Sequence, residues 1–300
     1  MDYATARQVF FQPAPDEIVP LPMQQPSPAR RLRDAAEPIA ILPAWASLVN
    51  QRLAERGLNF LTAYVWGRAV PLGEPVGAVV AAAFGAFEPG LIINLYDEAR
   101  RTLSRAELLR VQEEATIETL QNILGPLDSQ EVNTALRRAV DSADGTGRPM
   151  FSAVRALGWP THPLAQLWRG CNAIREHRGD SHIAAYIGAG FDPVQMNILT
   201  ELWAGWPPGS YSGTRAWPAE RTEQALSSLR SAGLIEGDSL TSKGREVRQK
   251  IEEQTDAMEM PLVEAIGADL EMVVSRLNEW GEACIKAGEF PPDPRKRAAG

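Results

Sequence analysis

Cysteine is almost missing from this chain. Cys171 and Cys284 are the two in 300 residues, far apart and outside any CxxC spacing, so neither a disulfide framework nor a zinc site is indicated, and a reducing cytoplasm fits. Positive charge is in deficit: 30 Lys and Arg face 38 Asp and Glu, for a net charge of −8 and a pI of about 5.1. That balance excludes a surface coated in cations for nonspecific nucleic-acid binding and confines any DNA contact to a local patch. Long apolar runs are lacking too. The longest without a charge, Pro75 to Phe87, has 13 residues, short of the roughly 20 that cross a bilayer, so it reads as a buried helix and no membrane partner is expected. There is no GxSxG elbow, no Walker loop, no GxGxxG after a strand and no HExxH, which removes the commonest hydrolase, nucleotide and zinc-protease signatures. No cofactor or metal is implied, and no fixed-period repeat suggests a solenoid.

What is present is mostly helix punctuation, with 44% hydrophobic residues to build a core. The first 37 residues carry six prolines and the cluster Arg30-Arg31-Leu32-Arg33 but no apolar signal segment, and read as a mobile, disordered tail. Glu37-Pro38 then opens a helix and Pro89 another, while Ser104 with Glu107 has capping-box spacing, predicting a helix over Arg105–Ile123. Ser142 to Pro149, SADGTGRP, is the clearest break. Beyond it, His162-Pro163 opens a helix that Gly179 should end, with Asp180 capping the next, and Asp192-Pro193 with Gln195 starts one reaching about Ala204. The expected fold is mainly α. A Pro-rich tail (1–37) precedes a helical N-terminal domain (38–148), which packs on a winged-helix domain (149–300) with one short β-hairpin and a long C-terminal helix bent at Met260-Pro261.

The stretch Leu229 to Asp256, LRSAGLIEGDSLTSKGREVRQKIEEQTD, supplies the winged-helix order. Gly233 stops a helix, Leu234-Ile235 begins a strand, Glu236-Gly237-Asp238 turns the chain, and Ser239–Thr241 returns before Thr241 or Ser242 caps the next helix. A winged-helix reader lays one helix in the major groove and touches phosphates with the wing. Here Pro218 to Ser231 is the candidate: Ala225, Leu226 and Leu229 face inward, while Arg221, Gln224 and Ser228 form an outward stripe suited to base edges. Arg215, Lys243 and Arg245 are candidate phosphate contacts. From Arg215 to Lys250 seven basic residues face five acidic ones. Against DNA stand the acidic wing residues Glu236 and Asp238, and the segment Trp206–Trp217, WPPGSYSGTRAW, whose Gly and Pro leave little room for a regular supporting helix.

These residues resemble a largely actinobacterial helix-turn-helix family of mostly unassigned function, whose winged half is similar to the MarR type. The resemblance rests on Tyr64 to Ile92 (YVWGRAVPLGEPVGAVVAAAFGAFEPGLI), on Leu167 to Pro193 (LWRGCNAIREHRGDSHIAAYIGAGFDP), and on Leu240-Thr241 with Gly244 and Ile251-Glu252 with Thr255-Asp256. It implies a homodimer joined through the C-terminal helix and a pocket for a small-molecule effector, and it supplies no catalytic residues.

All three histidines fall between residues 162 and 182, two of them flanking Arg175-Glu176-His177-Arg178-Gly179-Asp180-Ser181-His182. One reading puts His177, Arg178, Asp180 and His182 around a ligand pocket; a metal fits less well, because the two histidines are five apart across an expected helix break. The other makes Asp180 a helix cap and the remaining charges ion pairs that lock helices together. Arg68, with Tyr64 one turn away, either ends a helix or recognises an anionic or aromatic ligand. The expected function is a cytoplasmic, ligand-responsive regulator that binds operator DNA as a dimer. The alternative is a small-molecule-binding protein or enzyme on a winged scaffold that has lost its DNA contacts, using the pocket near His177 and His182.

Overall fold

The computed structural model describes residues 1–13 and 26–298. The mainly α expectation holds: the described strands form a single two-stranded hairpin, β1 (Ile235–Glu236) and β2 (Ser239–Leu240), with Ile235 opposite Leu240.

The N-terminal segment departs most from its reading as a tail. Residues 14–25 lie outside the described residues, but α1 (Tyr3–Phe10) packs Phe10 against Trp45 and Phe60, and α2 runs from Pro28 to Trp45. Ser27 caps α2 by accepting from the Arg30 amide at 3.0 Å, and Pro28 stands at its first position, where a missing N–H costs nothing. Leu32, Ala35, Ala36, Ile39 and Leu42 are fully buried. The helix therefore begins ten residues before Glu37-Pro38, and Pro38 and Pro43 lie inside it. The basic cluster is not a solvated arm either: Arg30 and Arg33 are buried and ion-paired.

Helices α3 (Ser47–Ala54), α4 (Phe60–Ala69), α5 (Gly77–Phe84), α6 (Pro89–Thr102), α7 (Arg105–Leu124), α8 (Gln130–Ser142) and α9 (Pro149–Ala156) complete the first half. Ser104 caps α7 as its spacing predicts, accepting from the Glu107 amide at 3.4 Å. α10 (Pro163–Gly188) is the axis of the molecule. It runs through Gly179 without a break, and α2, α8, α9 and α14 (Ser242–Ile266) surround it. Gly170 lets α8 approach closely, since a Cβ there would meet Leu136 at 3.0 Å. A helix enclosed on all sides must satisfy its polar residues internally, and this explains the charges at its middle. Asp180 does cap a helix, but α9 rather than a successor to α10, accepting from the Phe151 amide at 2.9 Å.

The winged module follows: α11 (Pro193–Trp203), α12 (Ser210–Thr214), α13 (Ala219–Ser231), the hairpin and the start of α14. It has its own core of Val194, Ile198, Leu199, Leu226, Leu229, Leu234 and Leu240. The other large core extends unbroken from Ala29 through Phe151 and Ile174 to Cys284 and Phe290, so apolar packing crosses the 142–149 break and changes over near residue 190 instead. The expected long C-terminal helix is two. Gly267, at φ 63°, stops α14, and α15 (Leu270–Lys286) follows, packed against α2. Leu277, Trp280 and Cys284 of α15 are buried, and Gly281 sits 3.1 Å, measured from an added Cβ, from Pro38 of α2. The apolar face of α15, part of the C-terminal helix expected to join subunits, is thus used within one chain. A last helix, α16, spans Arg295–Ala298.

Candidate functional site

Two features could carry function: the outer face of α13 with the wing, and a cavity between the winged module and the helical body. The first depends on how α13 is held. Asp192 and Gln195 form the predicted capping box at the start of α11, and Ala225, Leu226 and Leu229 of α13 lie against Ile198, Leu199 and Trp203. The supporting helix α12 forms despite its composition because of Glu201, which the sequence reading missed. Its carboxylate is fully buried and accepts from the amides of Gly209, Tyr211 at 2.8 Å and Ser212 at 3.1 Å. A carboxylate in that position satisfies the orphan donors of the first turn. The wing is pinned by Thr241, which donates to Gly233 O at 2.8 Å and accepts from the Gly244 amide at 3.0 Å. Gly244 leaves room for the chain entering the wing; a Cβ there would stand 2.0 Å from Leu234 O.

Arg221, Gln224 and Ser228 are exposed along one side of α13, and Lys243 and Arg245 are exposed beside it. Each also has a partner within the chain. Arg221 lies 3.5 Å from Asp192 and donates to Gln224, Gln195 donates to Ser228, Lys243 donates to Ala232 O, and Arg245 donates to Leu240 O. Arg215 is elsewhere. Its guanidinium lies between the rings of Phe87 and Tyr211, 4.6 and 4.2 Å from their centroids, facing the cavity. Arg248 is buried and also faces the cavity. Removing these two from the window Arg215–Lys250 leaves five exposed basic residues (Arg221, Arg230, Lys243, Arg245, Lys250) against five exposed acidic ones (Glu220, Glu223, Glu236, Asp238, Glu246). The surface is neutral.

The cavity, of about 120 Å³, lies between α10, α11, α14 and the loop after α5. Of the predicted ligand residues it gathers Tyr64, Arg68, Arg178 and His182, and excludes His177 and Asp180. His177 instead bonds Glu259 at 2.6 Å, with Phe151 edge-on at 4.7 Å. Both structural roles proposed for the charged knot therefore occur, alongside the pocket. Arg68 binds Glu176 through two nitrogens, at 3.1 and 2.9 Å. Glu252 accepts from Arg30, Arg178 and Arg248 at 3.1, 2.7 and 2.5 Å. Burial alone would raise the Glu252 pKa, but Arg248 and Arg178 hold it well below the usual carboxylate range. Burial lowers His182 to about 3, so its imidazole is neutral. Among the described residues, no cluster of His, Cys, Asp and Glu could hold a metal ion.

The cavity and α13 are joined by the loop after α5. Ala86 O accepts from Asn197 Nδ2 of α11 and from the indole of Trp217, each at 2.9 Å, and Glu88 N donates to Arg215 O at 2.9 Å. Gly85 makes the turn at φ 68°, where a Cβ would collide with Ile183 at 2.7 Å.

A family model described as a helix-turn-helix family matches residues 29–291. The chain belongs to this helix-turn-helix family. Helix-turn-helix proteins bind DNA, which is the class of function that membership supports. The match starts within α2, so the family unit includes the helical body as well as the winged module. No curated protein and no solved structure matches the chain significantly. Among the described residues, no helix is long and apolar enough to cross a membrane.

Proposed function

We propose that this helix-turn-helix protein is a transcriptional regulator of MarR-like architecture, working in the cytoplasm, that binds operator DNA through α13 and the wing and responds to a small molecule in the cavity. The observation that carries the reading is the outward stripe Arg221, Gln224 and Ser228 on a helix whose other side is anchored by Ala225, Leu226 and Leu229. Arg and Gln match guanine and adenine edges, and the exposed Lys243 and Arg245 suit phosphates. Binding would exchange the half-exposed Arg221–Asp192 contact for the nucleic acid. Ligand response is supported by chain connectivity: Arg215 borders the cavity, Trp217 is tied to Ala86, and α13 begins at Ala219. A homodimer would present two copies of α13 to successive major grooves, through a face other than the buried side of α15.

Fluorescence anisotropy with DNA from upstream of the protein's own gene tests this. The Arg221→Ala, Gln224→Ala double variant is expected to bind at least about tenfold more weakly, and wild-type affinity should fall linearly on a log scale with salt. Equal affinity for wild type and variant, or none at low salt, would rule the reading out. The second reading, a small-molecule-binding protein that has lost its DNA contacts, is favoured by the neutral charge of the exposed face.

A further inference from the structure

We propose that the cavity binds an organic oxyanion, a carboxylate or phosphate on an apolar body, gripped between Arg215 and Arg248. The inference takes the cavity of the regulator reading as its starting point and names the chemistry it selects. Two of the arginines that line the cavity, Arg215 and Arg248, each carry a buried Nε with no hydrogen-bond partner. An unsatisfied N–H on a buried cation is costly, and a built site for an acceptor explains its persistence. These are also the two cations that carry the module's charge surplus, Arg248 buried and Arg215 half-buried at the cavity rather than on the exposed face.

Both guanidinium groups lie over aromatic rings. Arg215 is held between Phe87 and Tyr211, and Arg248 lies 4.4 Å from the centroid of the Trp203 ring. A guanidinium donates in its own plane, so stacking on rings fixes the direction of its N–H groups; Arg215 donates through Nη2 to the Tyr211 hydroxyl and Arg248 through Nη1 to Glu252, while Nε of each has no acceptor. The cavity's other guanidinium groups are less available. Arg68 is committed to Glu176, Arg178 to Glu252 and Asp256, Arg175 to Glu37 and Glu176, Arg30 to Asp34 and Glu252, and Arg33 to Asp34 and Glu37. An oxyanion at Arg215 and Arg248 would complete the pattern, and the apolar side chains of Ile183 and Met196 on the same wall suit a hydrocarbon body. Arg215 comes from the segment leading into α13 and Arg248 from α14, so one anion would tie the two elements that flank the recognition helix and wing.

Isothermal titration calorimetry on the full chain without DNA tests the assignment, using benzoate, phenyl phosphate, inorganic phosphate and the uncharged benzamide. Saturable binding is expected for benzoate or phenyl phosphate, at least about tenfold tighter than for inorganic phosphate, with none for benzamide; the stronger of the two organic anions tells carboxylate from phosphate. Arg248→Gln and Arg215→Gln should each weaken it about tenfold or more, and Arg215→Lys, which keeps the charge but loses the planar fork, should weaken it too if the glutamine variant fails to fold. Benzamide binding as well as benzoate, inorganic phosphate binding as well as phenyl phosphate, unchanged affinity in folded variants, or no saturable binding of any anion overturns the proposal. None of these outcomes involves DNA, so they leave the test of Arg221 and Gln224 untouched, and failure of that test leaves these intact.

Discussion

Asp180 and His182, two residues apart in α10, are shifted in opposite directions by the same cause. Burial pushes the Asp180 carboxyl up to about 7 from its ordinary 3.8, and pulls the His182 imidazole down to about 3 from 6.5. Between about 3.8 and 7 the folded chain keeps a proton on Asp180 that the unfolded chain releases, so this contribution is lost as pH rises. Between about 3 and 6.5 the unfolded chain takes a proton on His182 that the folded chain refuses, so that contribution is lost as pH falls. Where the windows overlap the two slopes oppose each other. Asp180→Asn should expose the histidine: from pH 4.5 to 6.5 its stability, relative to wild type, is expected to rise by about 1.4 kcal/mol per pH unit. Urea unfolding of both proteins at several pH values reads this directly, and parallel profiles would show that Asp180 is ionised throughout. Of these side chains the sequence made only local partners legible. Asp192 and Gln195 announce their capping box by spacing, whereas His177 meets Glu259 from 82 residues away, a distance no local pattern spans.

At the scale of elements, the hairpin and the helices around it were legible because each is marked by its own punctuation: Gly233 as a stop, Gly237 at the turn, Thr241 as a cap. The misread elements are those decided from outside. Ser27-Pro28 is a cap followed by a first-turn proline, but the six prolines of the segment read as a tail, and burial against α10 and α15 is what stabilises α2. By propensity the Gly and Pro around α12 oppose a helix; a carboxylate eight residues upstream of Gly209 overrides that preference. Glu201→Ala should therefore strip the acceptor from buried amides and destabilise the winged module by about 1–3 kcal/mol. Denaturant titration followed by tryptophan fluorescence would measure it, and an unchanged midpoint would mean that α12 does not depend on this residue.

For the whole molecule, the mainly α class and the presence of a winged module could be read from the sequence, while the cavity could be read only in part. The sequence points to Tyr64 and Arg68 on one side of it, and to Arg178 and His182 on α10. From sequence alone Arg215 and Arg248 count as surface charge, since a basic residue in a winged-helix segment gives no sign of which way it points. The placement of α15 has a consequence for assembly. A chain ended after Ile266 loses Val273, Leu277 and Trp280 from the main core, and is expected to be poorly packed, with weakened near-ultraviolet circular dichroism. A C-terminal helix that served only to join subunits would leave a folded monomer, and recovery of one would contradict the internal role.

The tether at Ala86 has one further consequence, for how the protein tolerates mutation. Its acceptor is a main-chain oxygen, which exchanging the Ala86 side chain does not delete, whereas both donors belong to side chains, Asn197 and Trp217. On the proposed link between cavity and α13, random mutagenesis that selects for loss of that link should return lesions at 197 and 217, and at Gly85 where the bend tolerates no Cβ, while residue 86 itself stays largely silent.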